Sequence, residues 1–155
     1  MATDTEIIEV DHGVSDLTLR VSELVNHQEG NAIHNYRGSA ENMFKFTTIC
    51  TGSHCKQGGD FVGEVVPVKY WYIYPVQFEA ADGELTSGIR TVLVTADLQA
   101  FGFGSGWIAT SLLRAIEAYG IGPYDPPIAL RITGTKTRKG RVMLSLEPEN
   151  LDLVE

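Results

Sequence analysis

A mainly β domain of five strands, folded as a Greek-key barrel with one helix between the third and fourth strands, is what this sequence predicts. Three observations carry that expectation. Apolar and polar residues alternate in short runs bounded by glycine, proline or Asp-Gly. One strong helical stripe lies in the body of the chain, after the first three of those runs. The length of 155 residues, with 43% apolar and 21% charged side chains, suits a single globular core.

Residues 1–42 read as an N-terminal extension of the same domain. Its amphipathic candidate is a helix from Ser15 to Asn26, with Leu17, Val21, Leu24 and Val25 at helical spacing and Gly30 closing it, although a short alternating segment fits nearly as well. The barrel is expected over 43–147. From Met43, the residues Phe44, Phe46, Thr48 and Cys50 alternate with Lys45, Thr47 and Ile49, and Gly52, Gly58 and Gly59 follow, which predicts strand one. Val62 to Phe78 is a long extended run and predicts strand two. Val66, Val68, Tyr70, Tyr72 and Tyr74 share its inward face, while Lys69, Trp71 and Ile73 take the other. Pro67 and Pro75 cannot donate to a ladder, so each marks an edge, a bulge or a break.

Asp82-Gly83 then turns the chain, and Gly88 to Thr95 reads as strand three, resuming at Ala100 to Phe103. Ser105 caps a helix whose stripe is Ile108, Leu112, Ala115, Ile116 and Tyr119, and Gly120, Gly122 and Pro123 stop it. Ile128, Leu130 and Ile132 share one face of strand four, and Val142, Leu144 and Leu146 one face of strand five. This order of elements is satisfied by an OB-like barrel. Residues 148–155 form an acidic C-terminal tail.

The formal net charge of -8 argues at first against a nucleic-acid partner, because Lys and Arg dominate backbone binding. The charge is unevenly placed. Residues 1–19 and 142–155 hold nine acids and no base, including Asp4, Glu6, Glu9, Asp11 and Asp16 at one end and Glu147, Glu149, Asp152 and Glu155 at the other. The middle carries all 12 bases against 11 acids, and Arg131, Lys136, Arg138, Lys139 and Arg141 fall in eleven acid-free positions. In isolation such a run is a solvated hairpin tip.

Other chemistries find little footing. Cys50, His54 and Cys55 lack the second pair of ligands a structural zinc site needs, and the thiols read as ordinary in a reducing compartment. No metal or other cofactor is implied. The turn Gly102-Phe103-Gly104-Ser105-Gly106 lacks the G-x-G-x-x-G spacing of a dinucleotide loop, though free amides at that helix start could hold a single phosphate. Asp82, Glu84 and Asp97 lie near turns without a spacing signature, so no enzyme is expected. No run approaches the roughly 20 apolar residues of a membrane span, and the acidic start lacks signal-peptide character, which predicts a cytoplasmic protein.

Aromatic side chains interleaved with bases are the more telling feature, since sequence-tolerant binding of single strands needs flat rings for bases and cations for phosphates. Lys69 implies a wetted face on strand two, which makes Trp71 a stacking platform unless the N-terminal segment covers it, with Tyr72 a second ring. Arg90 interrupts an apolar strand and should face outward near Trp71. Arg131 and Arg141 lie opposite the apolar core face, and Lys136, Arg138 and Lys139 crown the loop between strands four and five, a usual binding loop in OB folds. Phe101, Phe103 and Trp107 read as core or rim residues.

The runs Arg90 to Val94, Ala100 to Ile116, Gly122 to Ile132 and Lys136 to Glu147 together resemble small single-stranded DNA-binding proteins of tailed phages, where an aromatic-Ser turn precedes a helix and a closing hairpin reads Thr/Ser-x-Lys-Gly-x-x-x-x-x-Leu. Here the hairpin matches from Thr137 to about Leu146. The resemblance implies an OB-like fold, a role in coating single strands during phage replication or recombination, and residence in a bacterial host cell. Residues 1–42 have no counterpart in the pattern, and Trp107 and the Gly-rich turn exceed it. Single-stranded DNA is the expected partner; the acidic tail offers a docking peptide to replication or recombination proteins or a competitor for the basic groove, and a homo-oligomer stays open. The alternative is a protein-interaction module of a replication or virion complex, in which charge reversal at Lys136 and Lys139 would leave function intact.

Overall fold

Alternation in this chain does build strands, and they assemble as two sheets without closing into a barrel. The structure is a computed structural model that describes residues 16–26 and 31–153, apart from the side chain of residue 78. Residues 16–26 form helix α1, followed by β1 (Ile33–His34), α2 (Ala40–Thr51), β2 (Lys56–Gln57) and a single 3-10 turn over Gly58–Phe61. Then come β3 (Val65–Val68), β4 (Tyr70–Glu79), β5 (Leu85–Val94), β6 (Ala100–Phe103), α3 (Gly106–Tyr119), β7 (Ile128–Lys136) and β8 (Val142–Pro148). The first sheet has the order β1-β4-β5-β6-β2 and the second the order β3-β7-β8. The fold is mainly β. The acids at 4–11, Ser15 and Gly30 as the bounds of the first helix, and Glu155 lie outside the described residues.

The strand expected from Met43 is a helix. Ser39 caps α2 by accepting from the amide of Asn42 at 3.2 Å, Glu41 sits in the first turn, and the Gly52 amide closes the helix on the Thr48 carbonyl. Phe46 and Cys50, four apart, are buried, with Met43 and Ile49 packed beside them, whereas Phe44 is 75% exposed. The period-two pattern of Phe44, Phe46, Thr48 and Cys50 is thus split between core and solvent. Thr47, Thr48 and Thr51 donate their hydroxyls to carbonyls one turn back, so these β-branched residues are satisfied inside the helix.

The long run from Val62 holds a second correction. Val66 and Val68 of β3 point into the main core, but in β4 it is Trp71 and Ile73 that do so. Lys69 lies between the two strands as one extra residue, and a one-residue offset moves every following side chain to the opposite face. The chain bends there from one sheet to the other: β3 pairs with β7 (Val66↔Leu130) and β4 with β5 (Tyr72↔Val92). Tyr70, Tyr72 and Tyr74 therefore face α2, in a smaller cluster with Phe46, Cys50, Val92, Val94 and Ala100. Both faces of β4 are covered from Tyr70 to Tyr74.

Asn35 holds the bend. Its side chain accepts from the Trp71 amide at 2.9 Å and donates to the Ile121 carbonyl at 2.9 Å and the Lys69 carbonyl at 3.4 Å. The Tyr124 amide also donates to the Lys69 carbonyl, at 3.1 Å. Asn35 is itself buried, so Asn35→Ala leaves interior polar groups unpaired and should lower unfolding stability by about 1–3 kcal/mol in a urea melt.

The main core joins all the layers: Leu17, Val21 and Leu24 of α1, Trp71 and Leu93 of the first sheet, Ile108, Leu112 and Ile116 of α3, and Ile128, Leu130 and Ile132 of the second sheet. Helix α3 begins at Ser105, whose hydroxyl accepts from the Trp107 amide, and ends at Gly120 with φ of 88°. Residues 56–63 bridge the sheets. Lys56 and Gln57 pair in parallel with β6, Phe61 packs edge-on against Phe101, and the Gly63 amide reaches the Ile132 carbonyl. Beside them β8 is met by α3, where Ser111 Oγ accepts from the Leu146 amide at 3.0 Å.

Candidate nucleic-acid interface

The hairpin of β7 and β8 is the most cationic exposed feature. Its ladder ends at Lys136↔Val142, and the tip closes through the Thr137 amide to the Arg141 carbonyl at 2.8 Å and the Gly140 amide to the Thr137 carbonyl at 2.9 Å. Gly140 has φ of 80°, a left-handed conformation that a side chain would strain. Lys136, Arg138, Lys139 and Arg141 are all exposed, and no carboxylate pairs with any of them among the described residues. Four uncompensated cations on a protruding turn form an electrostatic footprint for a polyanion.

Arg131 does not belong to that group. It is half-buried in the ladder, with Nη1 donating to the Gly63 carbonyl at 2.7 Å and Nη2 to the Glu149 carbonyl at 3.2 Å. Its guanidinium ties the entry of β3 to the start of the tail. Lys69 sits at the bend, half-buried, with Nζ 5.6 Å from the centre of the Tyr70 ring.

Trp71, expected to be an exposed platform, has no exposed surface. The offset at Lys69 turns it inward, where its indole Nε1 donates to the Ile121 carbonyl at 3.1 Å and to the Tyr124 hydroxyl at 3.3 Å. That hydroxyl in turn donates to the Gly120 carbonyl at 2.6 Å. Burial pushes the Tyr124 phenol up, while the bond from Trp71 draws it back. Tyr72 is buried on the opposite face, its ring stacked with His34 at 5.8 Å. Neither ring is open to a base.

The exposed tryptophan is Trp107, with 57% of its surface free. Helical spacing carries the missed signal: Trp107, Thr110, Arg114 and Glu117 follow one another at three or four residues on the side of α3 away from the Ile108, Leu112 and Ile116 stripe. Arg90 faces Tyr74 across the ladder and lies half-buried on the sheet face that carries the tyrosines, away from Trp71.

His34 marks the edge of the tyrosine cluster. Its Nδ1 is buried without a partner, and burial holds its pKa below the ordinary 6.5, with a smaller lowering from Arg20 opposed by a backbone hydrogen bond at Tyr36. A histidine kept neutral by the fold binds a proton more readily in the unfolded chain. The stability it contributes is complete above 6.5 and is lost as the pH falls through that value toward the lowered one. Thermal melts of His34→Gln should therefore fall less steeply below pH 6.5 than those of the native chain.

Cys50 and Cys55 are free thiols, and burial pushes Cys50 up to about 12. No helix among the described residues is long and apolar enough to cross a membrane. No protein-family model matches the chain, and neither the curated proteins nor the solved structures give a significant match.

Proposed function

We propose that this protein binds single-stranded DNA without sequence preference, in phage-type replication or recombination, on an open variant of the OB-like architecture. The observation that carries the reading is the hairpin tip of Lys136, Arg138, Lys139 and Arg141, exposed and without acidic partners among the described residues. The chain path supports it. A bent strand (β3 and β4) is followed by β5, β6, a helix and a hairpin whose first strand pairs back onto the bent strand, an order compatible with an OB-like reading in which residues 56–63 stand at the final seam in place of direct pairing. Exposed rings for base stacking come from Trp107, not Trp71.

Titration with oligo-dT and with duplex of equal length, followed by tryptophan fluorescence at two salt concentrations, tests the reading. Quenching by the single strand alone, weakened by salt, is expected; absence of binding at low salt would remove it. The tail favours a second reading, a module that docks a protein partner, because Leu151 and Leu153 are 73% and 94% exposed among acids. Lys136→Glu with Lys139→Glu separates the two: it abolishes oligo-dT binding under the first and leaves function intact under the second.

A further inference from the structure

The first sheet keeps a stretch of edge without a neighbour. β1 covers β4 only at Tyr72 and Ile73, and β6 covers β5 only at residues 91–94, so residues 74–79 and 85–90 pair with each other alone among the described residues. The hydrogen bonds fix which groups face outward. Trp71 donates its amide to the Asn35 side chain, and its carbonyl accepts from the Asn35 amide, both on the β1 side. Alternation along an antiparallel ladder then points the backbone polar groups of Tyr72, Tyr74 and Val76 at β5, and those of Val92, Arg90 and Gly88 back at β4. Leu85, Ser87 and Ile89 therefore turn their amides and carbonyls outward, in line with Thr91 and Leu93, which face Phe103 and Phe101 of β6. None of the three has a backbone partner on that side among the described residues.

The two edges differ. On β4 an outward position is Pro75, which has no amide to give, whereas residues 85–90 hold neither proline nor lysine, the common guards of an exposed edge. Beyond the end of β6 this edge opens on a cleft of ≈ 470 Å³, lined in part by Val25, Ser87, Gly88 and Ile89, which leaves room for an added strand. Charge and hydrophobicity name the occupant. Arg90 leans over Gly102 of β6 on the tyrosine face and reaches the Cys55 thiol, and no carboxylate pairs with it among the described residues. At the other end of the edge, Glu84 is exposed and has no cationic partner among the described residues, and Leu85 is 74% exposed. When this edge is paired antiparallel with itself about Ser87, outward backbone meets outward backbone. The same register sets Leu85 of one copy opposite Ile89 of the other, and Glu84 of one opposite Arg90 of the other, each contact occurring twice.

We propose that two copies of this chain pair through the β5 edge about a twofold axis at Ser87, joining their first sheets into one. The inference goes beyond the single-strand reading and does not rest on it. Sedimentation equilibrium of the whole chain without nucleic acid, across the micromolar range, should show monomer and dimer in exchange. Ser87→Pro removes an amide that has no partner within the chain, so it should keep the native circular dichroism and weaken dimerisation by about tenfold or more. Glu84→Arg changes an exposed residue just before β5, sets like charges opposite each other at both ends of the ladder, and should weaken dimerisation by about tenfold, less so at high salt. It keeps the test decisive if the proline variant does not fold. A monomer at every concentration overturns the proposal and leaves the edge to an extended peptide of another protein. A dimer of native strength in either folded variant places the association on another surface or register and overturns it as well. Both results leave the oligo-dT titration, and the reading it tests, untouched.

Discussion

Trp71→Ala will unfold the protein more readily by about 3–5 kcal/mol, the range for deleting a large buried aromatic. The indole is wholly buried in the main core and spends its N–H on Ile121 and Tyr124, so truncation opens a cavity and removes one of the two donors to the Ile121 carbonyl, Asn35 remaining as the other. Against a typical domain stability of about 5–15 kcal/mol this is a large share. A urea melt reads it directly. Trp71→Phe retains much of the volume and should keep oligo-dT affinity within a factor of about two at a temperature where the variant is folded, because a buried side chain makes no contact with a base. A variant that melts like the native chain yet loses oligo-dT would return Trp71 to the interface and contradict its burial.

Neutralising the hairpin should give the opposite pair of results. Lys136, Arg138, Lys139 and Arg141 changed together to Gln lie on an exposed turn, where stability should move by no more than about 0.5 kcal/mol per site. Affinity for oligo-dT should fall on the order of 100-fold at low salt, and the slope of log K against log salt should shrink by about 0.7 for each phosphate contact removed. Arg131→Gln is the internal contrast, since its guanidinium is bonded to the carbonyls of Gly63 and Glu149. It should lower the melting temperature and leave the salt slope nearly unchanged. An unaltered slope in the fourfold variant would place the contact surface elsewhere.

Much of the second half could be read from residue order alone. The hairpin of β7 with β8 follows from clean alternation and from Gly140, the turn between β4 and β5 from Asp82-Gly83, and α3 from its Ser105 cap and its stripe. The misread elements have physical causes. Residues 43–50 satisfy period two and period 3.6 at once, and only Ser39 with Glu41 just after it marks a helix start. The faces of β4 were not legible because both are apolar, one under α2 and one in the main core, and because nothing local announces the extra residue at Lys69. For the same reason the sequence points to Trp71 as an exposed ring, whereas Trp107 is the exposed one. The cationic tip was legible because exposed like charges on a glycine turn need no tertiary context, whereas Asn35 was not, since its partners lie 34 to 86 positions away.

The margins of the two sheets bear on how copies of this protein can crowd. The first sheet is bounded by β1 and β2, each two residues long; in the second, Pro67 interrupts the donors of β3 and Ser111 occupies the Leu146 amide of β8. Short, proline-bearing or occupied margins resist pairing with a neighbour. Molecules set side by side at high density would therefore find little to pair with along these margins, and a shared ribbon of backbone would have to form on the outer part of the β4–β5 hairpin, residues 74–79 and 85–90, which β1 and β6 leave uncovered.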